Sequence, residues 1–249
     1  IEAGTVRLGS NIEIGALMVG DNNGYKIDET ACLWVDGATV AVGDCFSLYV
    51  HGDLRVSNGL LDATTDQGIV YRTTANITLD GGNIESNMLR TSKAEGTHVG
   101  ALTINDGIFK LTGNDTDKRN YPTFGLTYPD GGFNMTGGEL IIERGTFDGN
   151  STQHNRYFAL AIGINTDNCN ITGGTLKLLC KNWNVNTNYD FYINSTVPFW
   201  DVEIEADATA NEVSIRRFEN NNENGCVDVE IQPLVVLNNL TIRNNGTLD

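Results

Sequence analysis

The chain has 249 residues, of which 40% are hydrophobic and 28 are glycine, and its formal net charge at pH 7 is −16. The acidic excess argues against nucleic acid and against anionic lipid surfaces as partners, because both are bound mainly by Lys and Arg. The apolar content supports a sizeable core and argues against intrinsic disorder. No apolar run approaches the roughly 18 residues that a membrane-spanning helix needs.

Short runs in which apolar and polar residues alternate recur along the whole chain and end at Gly, Asn or Asp. This pattern is typical of β-strands, whereas no segment keeps the 3.6-residue period of a helix over three turns. The sequence therefore predicts an all-β protein. In chain order the predicted strand runs are Val6–Ile14, Leu33–Val42, Phe46–Val56, Ile77–Ile84, Leu102–Leu111, Phe133–Ile142, Ile171–Leu179, Trp200–Glu205, Val227–Ile231 and Leu240–Ile242.

One phrase recurs in these runs: apolar-x-apolar-polar-Gly/Asn-Gly-x-apolar. Clear copies are Ile77–Ile84, Leu102–Phe109, Phe133–Leu140 and Cys169–Leu176. The phrase predicts two short strands joined by a bend at positive φ, a conformation that glycine tolerates. Its second glycine falls at Gly37, Gly59, Gly82, Gly107, Gly138 and Gly174, with intervals that lengthen from 22 to 36 residues.

A period in the low twenties is typical of a solenoid coil, whereas a β-propeller blade needs about forty residues. The sequence predicts a right-handed parallel β-helix in which each coil contributes two or three strands. Long loop insertions are predicted at Asn114–Asp130, Asp148–Arg156 and Asn182–Asn194. No composition shift marks a second domain, so we expect one segment over residues 1–249, a fragment of a longer protein.

Aromatic residues in the predicted loops are the candidate ligand-binding residues. They are Tyr128, Tyr157, Trp183 and Tyr189. Such rings either stack on sugar rings or anchor the loops by packing. The first interpretation places a polysaccharide contact on the loop side of the solenoid.

Two acidic pairs, Glu203/Glu205 and Asp228/Glu230, alternate with Val and Ile, so each pair is expected on one strand face. Such a pair can serve as acid and base in glycoside cleavage, hold Ca²⁺, or line a solvated outer face. The segments Asp21–Gly24 and Asn114–Asp117 also carry oxygen ligands at short spacing. The prediction is no metal and no cofactor, with Ca²⁺ kept as an alternative.

Asn165-Thr166-Asp167 resembles the Asn-Thr-Asp segment of polygalacturonase-type β-helical glycosidases. The Asp-Asp, Gly-His-Gly and Arg-x-Lys segments of that family are missing from this chain, so a turn role is expected for Asp167. His51, His98 and His154 are far apart in sequence and form no recognisable triad or metal pattern. No catalytic residue is predicted.

The five cysteines are Cys32, Cys45, Cys169, Cys180 and Cys226, with no Cys-x-x-Cys pair and therefore no zinc pattern. Two interpretations remain open. Cys32/Cys45 and Cys169/Cys180 form disulfides in an oxidising compartment, or the cysteines are buried thiols that act as small apolar residues.

The segment Leu237–Asp249 resembles the coils of very large repetitive surface proteins of Bacteroidota, including gliding-motility adhesins exported by the type IX secretion system. The resemblance implies an extracellular, cell-surface β-helical stalk that adheres to a polysaccharide or another cell-surface ligand. It also implies secretion and surface-anchoring machinery as partners, and no catalytic residues. Two alternatives remain: a β-helical carbohydrate-active enzyme (polysaccharide lyase or glycoside hydrolase) and a phage tail-fibre or tailspike segment.

Overall fold

The structure, a computed structural model, describes residues 1–14, 24–43, 46–72, 74–91, 99–113, 121–145, 158–181, 191–206, 212–218 and 228–249. Within these ranges the chain is all-β, with one short 3-10 helix, Thr166–Asn168, and no α-helix. The strands are β1 (Gly4–Leu8), β2 (Ile12–Ile14), β3 (Tyr25–Ile27), β4 (Ala31–Val42), β5 (Leu48–Val50), β6 (Asp53–Ala63), β7 (Ile69–Tyr71), β8 (Asn76–Leu79), β9 (Asn83–Ser86), β10 (Leu89–Thr91), β11 (Ala101–Ile104), β12 (Ile108–Leu111), β13 (Phe124–Leu126), β14 (Gly132–Met135), β15 (Glu139–Ile142), β16 (Phe158–Ile162), β17 (Cys169–Ile171), β18 (Thr175–Leu178), β19 (Phe191–Ser195), β20 (Phe199–Ala206), β21 (Val213–Ile215) and β22 (Val236–Asn244).

These strands form a 14-stranded and an 8-stranded sheet. Equivalent strands of successive repeats pair in parallel: β8 with β11 and β11 with β14, β9 with β12 and β12 with β15, and β10 with β13 and β13 with β16. One repeat is therefore a set of three strands, such as β8, β9 and β10, of which the first two lie in the larger sheet and the third in the smaller. The predicted all-β fold with parallel strands is confirmed.

The repeated phrase forms two strands, as in β8 and β9, or one long strand with an irregularity in pairing, as in β4 and β6, and its second glycine lies at the bend. All six predicted glycines have positive φ, between 67° and 88°. At Gly107 the space is also restricted, because a Cβ atom would lie 2.3 Å from the carbonyl oxygen of Gly82 in the preceding repeat. Glycine is therefore required here for a second reason: the bends of successive repeats stack too closely for a side chain.

Apolar residues of the phrase point inward and lie above one another in register. One inward column crosses nine strands of the larger sheet, and its members are Ile12, Val40, Leu61, Ile84, Phe109, Leu140, Leu176, Val202 and Leu240. Between its two end members this nine-residue column is at most 1% exposed. It belongs to one hydrophobic core that extends from Tyr25 to Val213.

Apart from β5, which lies in the predicted run Phe46–Val56, the strands of the smaller sheet were not predicted, and one predicted strand is wrong. β13 lies inside the predicted loop Asn114–Asp130, and all three of its residues are buried. Burial on both faces removes the alternation by which strands are recognised. Conversely, no strand is present in the described part of the predicted run Val227–Ile231, where Val229 makes only an isolated antiparallel bridge to Phe218.

Val229 is held outside the smaller sheet by a second, smaller core. Its buried members are Met88, Tyr121, Phe158, Ala161, Phe218 and Val229. The amide of Asn194 on β19 donates to the carbonyl oxygens of Val229, at 2.8 Å, and Glu230, at 2.9 Å. These contacts hold residues 228–230 against the outer face of the smaller sheet. The segment therefore does not pair as a strand of that sheet, although its sequence alternates.

Candidate functional site

Only one of the four predicted ligand-binding aromatics lies in a described range. Tyr157, Trp183 and Tyr189 lie outside the described residues, as do most of the predicted loops Asp148–Arg156 and Asn182–Asn194. Tyr128 follows β13 and is half-buried. The described part of the candidate site is therefore the surroundings of Tyr128.

Tyr128 lines a small, partly open cleft with room for about one water molecule. The cleft forms where third strands of successive repeats end and the chain turns back to the larger sheet. Its other lining residues are Tyr71, Thr91, Leu126, Gly131, Gly132 and Ile164. Since the ends of parallel strands meet at one edge, lining residues from neighbouring repeats, 20 to 38 positions apart in sequence, come together here.

The described lining of this cleft consists of aromatic, aliphatic, threonine and glycine residues. Burial raises the pKa of the Tyr71 phenol well above its usual range, so the group stays protonated at neutral pH. No carboxylate, histidine or lysine is among the described lining residues. Tyr71 is only 2% exposed, so the half-buried ring of Tyr128 is the aromatic surface of the cleft that a sugar ring can reach.

Other aromatics in or near the predicted loops have a packing role. Five are buried: Tyr121, Phe124, Phe158, Phe191 and Phe199. The rings of Phe133 and Phe199, for example, meet edge to face with centroids 6.3 Å apart. These five rings therefore pack in the interior and are not available to a ligand.

The acidic pairs lie among neutralising partners. Glu203 forms an ion pair with Arg243, with 2.5 Å between the charged groups. Glu205 accepts a hydrogen bond from the Asn244 amide. Glu203 and Glu205 alternate with the buried Val202 and Ile204, so they lie on the outer face of β20. This is the predicted solvated outer face.

The second acidic pair faces a single arginine. The Arg217 guanidinium lies 3.5 Å from the Asp228 carboxylate and 3.0 Å from that of Glu230. Both carboxylates are well exposed, with side-chain exposures of 47% and 71%. An exposed pair of this kind lacks the desolvated, unequal environments that separate a catalytic acid from a catalytic base.

A longer charge ladder runs along the outer face of β9, β12 and β15. Lys110 lies 2.6 Å from Glu85 of the preceding repeat and 3.5 Å from Glu143 of the next, and Glu143 also binds Lys181 at 2.6 Å. Burial opposes ionisation of Glu143, but the Lys181 hydrogen bond and the Lys110 charge outweigh it and lower the pKa of the carboxyl group. The hydrogen bond to Glu85 in turn raises the pKa of Lys110.

A second ladder follows the outer face of the first strands of the repeats. The Trp34 ring is flanked by two guanidinium groups, with Arg7 4.4 Å and Arg55 4.9 Å from its centroid. Arg7 pairs with Asp36, and Arg55 donates to Asp80 at 2.8 Å. Charged groups on both outer faces are therefore paired with each other between repeats.

The segment that resembles a glycosidase motif forms a turn. The Asn165 side chain accepts a hydrogen bond from the Asp167 backbone N–H at 3.2 Å and caps the 3-10 helix Thr166–Asn168. This is the predicted turn role of Asp167. His51 lies at the bend between β5 and β6, where burial and the charges of Lys26 and Arg72 lower the pKa of its imidazole; His98 and His154 lie outside the described residues.

The thiols of Cys32 and Cys169 are free, so neither predicted disulfide pairing is formed. Burial raises the pKa of both thiols. In the described ranges no three His, Cys, Asp or Glu residues come together in a way that could hold a metal ion. Both predicted calcium segments fall mainly outside those ranges, with only Gly24 described.

Arg90 on β10 is a buried cation that sequence reasoning did not single out. It is 5% exposed, donates to the Gln67 side-chain oxygen, and lies 3.9 Å from the Tyr121 ring centroid. Its Nε has no hydrogen-bond acceptor among the described residues. Its contacts join the third strands to the second core and open into no described cavity.

The ladder residues were also missed, although the sequence carries their signal. Glu85 and Lys110 are 25 residues apart, which is also the interval between Gly82 and Gly107. Comparing outward positions at the glycine interval would have paired them.

Comparison with known proteins adds no family: the chain matches no protein-family model, and no curated protein or solved structure is significantly similar to it. Over the described ranges, no helix has the length and apolar character needed to cross a bilayer.

Proposed function

We propose that this chain is a right-handed parallel β-helix that serves as a structural and adhesive segment of a large secreted or cell-surface adhesin. In this proposal it contacts polysaccharide through its insertion loops and is exported and anchored by surface-protein machinery. The β-helical interpretation is supported by the parallel pairing of each strand with its equivalent in the next repeat, and by the stacked glycine bends. The handedness follows the strong preference of parallel crossovers.

The observation that carries the non-enzymatic role is the pairing of outward charges between repeats. Lys110, Glu143 and Lys181 neutralise one another along the axis, as do Arg243 and Glu203. The Tyr128 cleft does not gather the three or more polar groups with perturbed pKa values that an active site requires. Outward charges that pair between successive repeats suit a stalk.

The Tyr128 cleft supports contact with a carbohydrate. It supplies the half-buried Tyr128 ring and glycine backbone without a carboxylate, histidine or lysine, which favours stacking on a sugar over bond cleavage. The net charge of −16 disfavours an acidic polysaccharide, so the proposed ligand is a neutral or basic one. Contact through this cleft is expected to be weak at one site and to gain strength from multiple copies.

The experiment combines binding and turnover on the purified chain. Immobilised neutral, basic and acidic polysaccharides are tested for retention of the protein, and the same glycans are analysed for new ends after prolonged incubation. The proposal expects retention on a neutral or basic glycan, loss of retention in Tyr128→Ala, and no cleavage. Tyr49→Ala, which removes a half-buried ring of β5, is the matched control and should be retained like the wild type.

Cleavage of any glycan by this chain would contradict the non-enzymatic role and support a carbohydrate-active enzyme. Unchanged retention of Tyr128→Ala would contradict the role of the cleft. An experimental density map that resolves the strands tests whether the fold is a β-helix and whether it is right-handed. This test is independent of the non-enzymatic role and of the role of the cleft.

A further inference from the structure

Four Asn-Gly pairs occur in the sequence, and two of them lie wholly in the described ranges. These two are Asn58-Gly59, at a glycine bend within β6, and Asn245-Gly246, just after β22. The pairs Asn23-Gly24 and Asn224-Gly225 lie partly or wholly outside those ranges. An asparagine followed by glycine is chemically labile, because glycine has no Cβ to keep its backbone nitrogen away from the asparagine side chain.

The backbone amide of Gly59 lies against the side chain of Asn58. Its N–H donates a hydrogen bond to the Asn58 Oδ1 at 2.9 Å. Because Cγ is one carbonyl bond of about 1.2 Å from Oδ1, the Gly59 nitrogen lies within about 4 Å of Cγ. Reacting atoms in a near-attack arrangement are about 3–3.5 Å apart, so a small rotation of the Asn58 side chain brings nitrogen and carbon into reach.

The backbone at this pair is less constrained than the rest of β6. Residues 53–56 pair with β8 and residues 60–63 with β9, so the described pairing to the following repeat leaves out residues 57–59. Toward the preceding repeat, the register shifts on both sides of Asp36, which lies opposite Asn58. Asn58 is also exposed, so water reaches its side chain. The bend therefore retains local freedom that a regularly paired strand lacks.

The second pair, Asn245-Gly246, has the same sequence but a different geometry. The Gly246 N–H donates to the carbonyl oxygen of Arg243 at 2.9 Å, so this amide is engaged by the backbone and not by the Asn245 side chain. Asn245 is half-buried, whereas Asn58 is exposed. A comparison of the two pairs therefore separates the effect of the structure from that of the sequence.

We propose that Asn58-Gly59 is a self-modification site, at which the folded chain promotes its own deamidation. The Gly59 nitrogen attacks the Asn58 Cγ, so that the N–Cγ bond forms and the Cγ–Nδ2 bond breaks. The proton of the Gly59 amide passes to Nδ2, which leaves as ammonia. The product is a cyclic imide, and this modification is independent of the proposed adhesive role.

Water, the co-reactant, then opens the imide in one of two ways. Cleavage of the N–Cγ bond leaves aspartate at position 58. Cleavage of the bond between the Gly59 nitrogen and the backbone carbonyl carbon leaves isoaspartate, in which the main chain runs through Cγ. No group is oxidised or reduced in either route.

Neither product fits the stack of bends as well as asparagine does. Isoaspartate adds a methylene to the main chain where the bends approach closely, since a Cβ at Gly59 would lie 2.1 Å from the Ala38 carbonyl oxygen. A Cβ at Gly82, in the next repeat, would lie 2.8 Å from the Asn58 carbonyl carbon. Aspartate keeps the main chain but places a second carboxylate opposite Asp36. Deamidation is therefore expected to weaken the contact between these repeats.

The experiment follows both described pairs by peptide mass spectrometry in one preparation of the 249-residue chain. One sample is kept folded and one is unfolded in guanidinium chloride, at the same mildly alkaline pH and temperature. Asn58 is expected to react at least about threefold faster in the folded chain than in the unfolded chain, because folding positions the attacking nitrogen. Asn245 is expected to react at least about threefold more slowly when folded, because its glycine amide is held by the backbone.

Two variants serve as matched controls, and circular dichroism establishes that each is folded. Asn58→Gln should abolish the reaction at position 58, because the longer side chain has to close a larger ring, and should leave the Asn245 rate unchanged. Asn245→Gln should leave the Asn58 rate unchanged. Deamidated chains, separated from intact ones by ion exchange, should unfold at a lower urea concentration. The ratio of isoaspartate to aspartate should be lower in the folded sample, because the stack leaves no room for the added methylene.

Three results would overturn the proposal. Reaction of Asn58 that is equal or slower in the folded chain would show that the bend protects the pair. Acceleration of Asn245 to the same extent would show that the hydrogen bond of the Gly59 amide is not the cause. Unchanged stability of the deamidated chains would contradict the expected damage to the stack.

Discussion

Lys110 and Glu85 lie 2.6 Å apart across two consecutive repeats, opposite one another in the paired strands β12 and β9. The pair illustrates how this molecule uses its charges, because an outward residue finds its partner one repeat away along the axis. The same relationship holds between Arg55 and Asp80. We expect the outer surface to contribute to stability through such pairs and to leave few charges for chemistry.

The pKa of Glu143 makes one of these ladders testable by pH. Its carboxyl pKa is lowered from an ordinary 4.5 in the folded state, so the stabilisation is present above pH 4.5 and is lost as the pH falls through the lower folded value. Glu143→Gln should lower the free energy of unfolding by about 1 kcal/mol at pH 7, and the difference should shrink toward zero in acid. Urea unfolding between pH 7 and 3 measures this.

Glu2→Gln is the control for the pH series, since Glu2 is exposed and makes no ion pair among the described residues. It should change stability little at any pH. A Glu143→Gln effect that is the same at pH 7 and pH 3 would mean that packing, not charge, accounts for it.

Two glycine bends separate backbone strain from close approach. Gly37 and Gly107 have nearly the same φ, 88° and 86°, but a Cβ at Gly37 would have its nearest neighbour at 3.9 Å and one at Gly107 would lie 2.3 Å from a carbonyl oxygen. Gly37→Ala should lower the free energy of unfolding by about 1 kcal/mol, because alanine is strained at this φ. Gly107→Ala should cost at least about twice as much, measured by urea unfolding, and equal costs would argue against tight stacking of the bends.

The nine-residue column predicts different costs for the same substitution. Leu176 is fully buried and Leu240 is 44% exposed, although both occupy the same inward position. Leu176→Ala should destabilise by about 2–5 kcal/mol, as expected for a buried leucine. Leu240→Ala should cost about 1 kcal/mol or less, and a cost equal to that of Leu176→Ala would show that Leu240 is covered.

Partial burial of the Cys169 thiol predicts lowered reactivity. Its raised pKa keeps the thiol protonated at pH 7–8, and the thiolate is the reactive form. Labelling by iodoacetamide, followed by peptide mass spectrometry, should modify Cys169 slowly in the folded protein and quickly in urea. Fast labelling in the folded state would contradict the buried environment.

The repeated phrase made much of the larger sheet predictable. Its alternation placed the inward residues, and its glycine marked the bend at each of the six predicted positions, because a positive φ excludes most other residues there. The third strands were not predictable by the same rule. Phe158–Ile162 is buried at all five positions, so it carries no alternation.

The candidate site was only partly predictable. Tyr128 was identified by residue type, but its neighbours Tyr71 and Ile164 are distant in sequence and meet only through the stacking of repeats. The run Val227–Ile231 misled for the opposite reason. Its alternation is that of a strand, yet Val229 packs with Phe158 and Phe218 outside the smaller sheet.

The stacking of repeats is tested most directly by distances between spin labels carried on unnatural amino acids along one outward column. Asp62, Lys177, Glu203 and Thr241 occupy this column, with Lys177 four, Glu203 five and Thr241 six strands from Asp62. At about 4.8 Å per strand, a label at Asp62 should lie about 19, 24 and 29 Å from labels at the other three positions. Distances that increase by equal amounts per strand would confirm that the repeats stack in register. Distances that do not grow with the number of strands would contradict it.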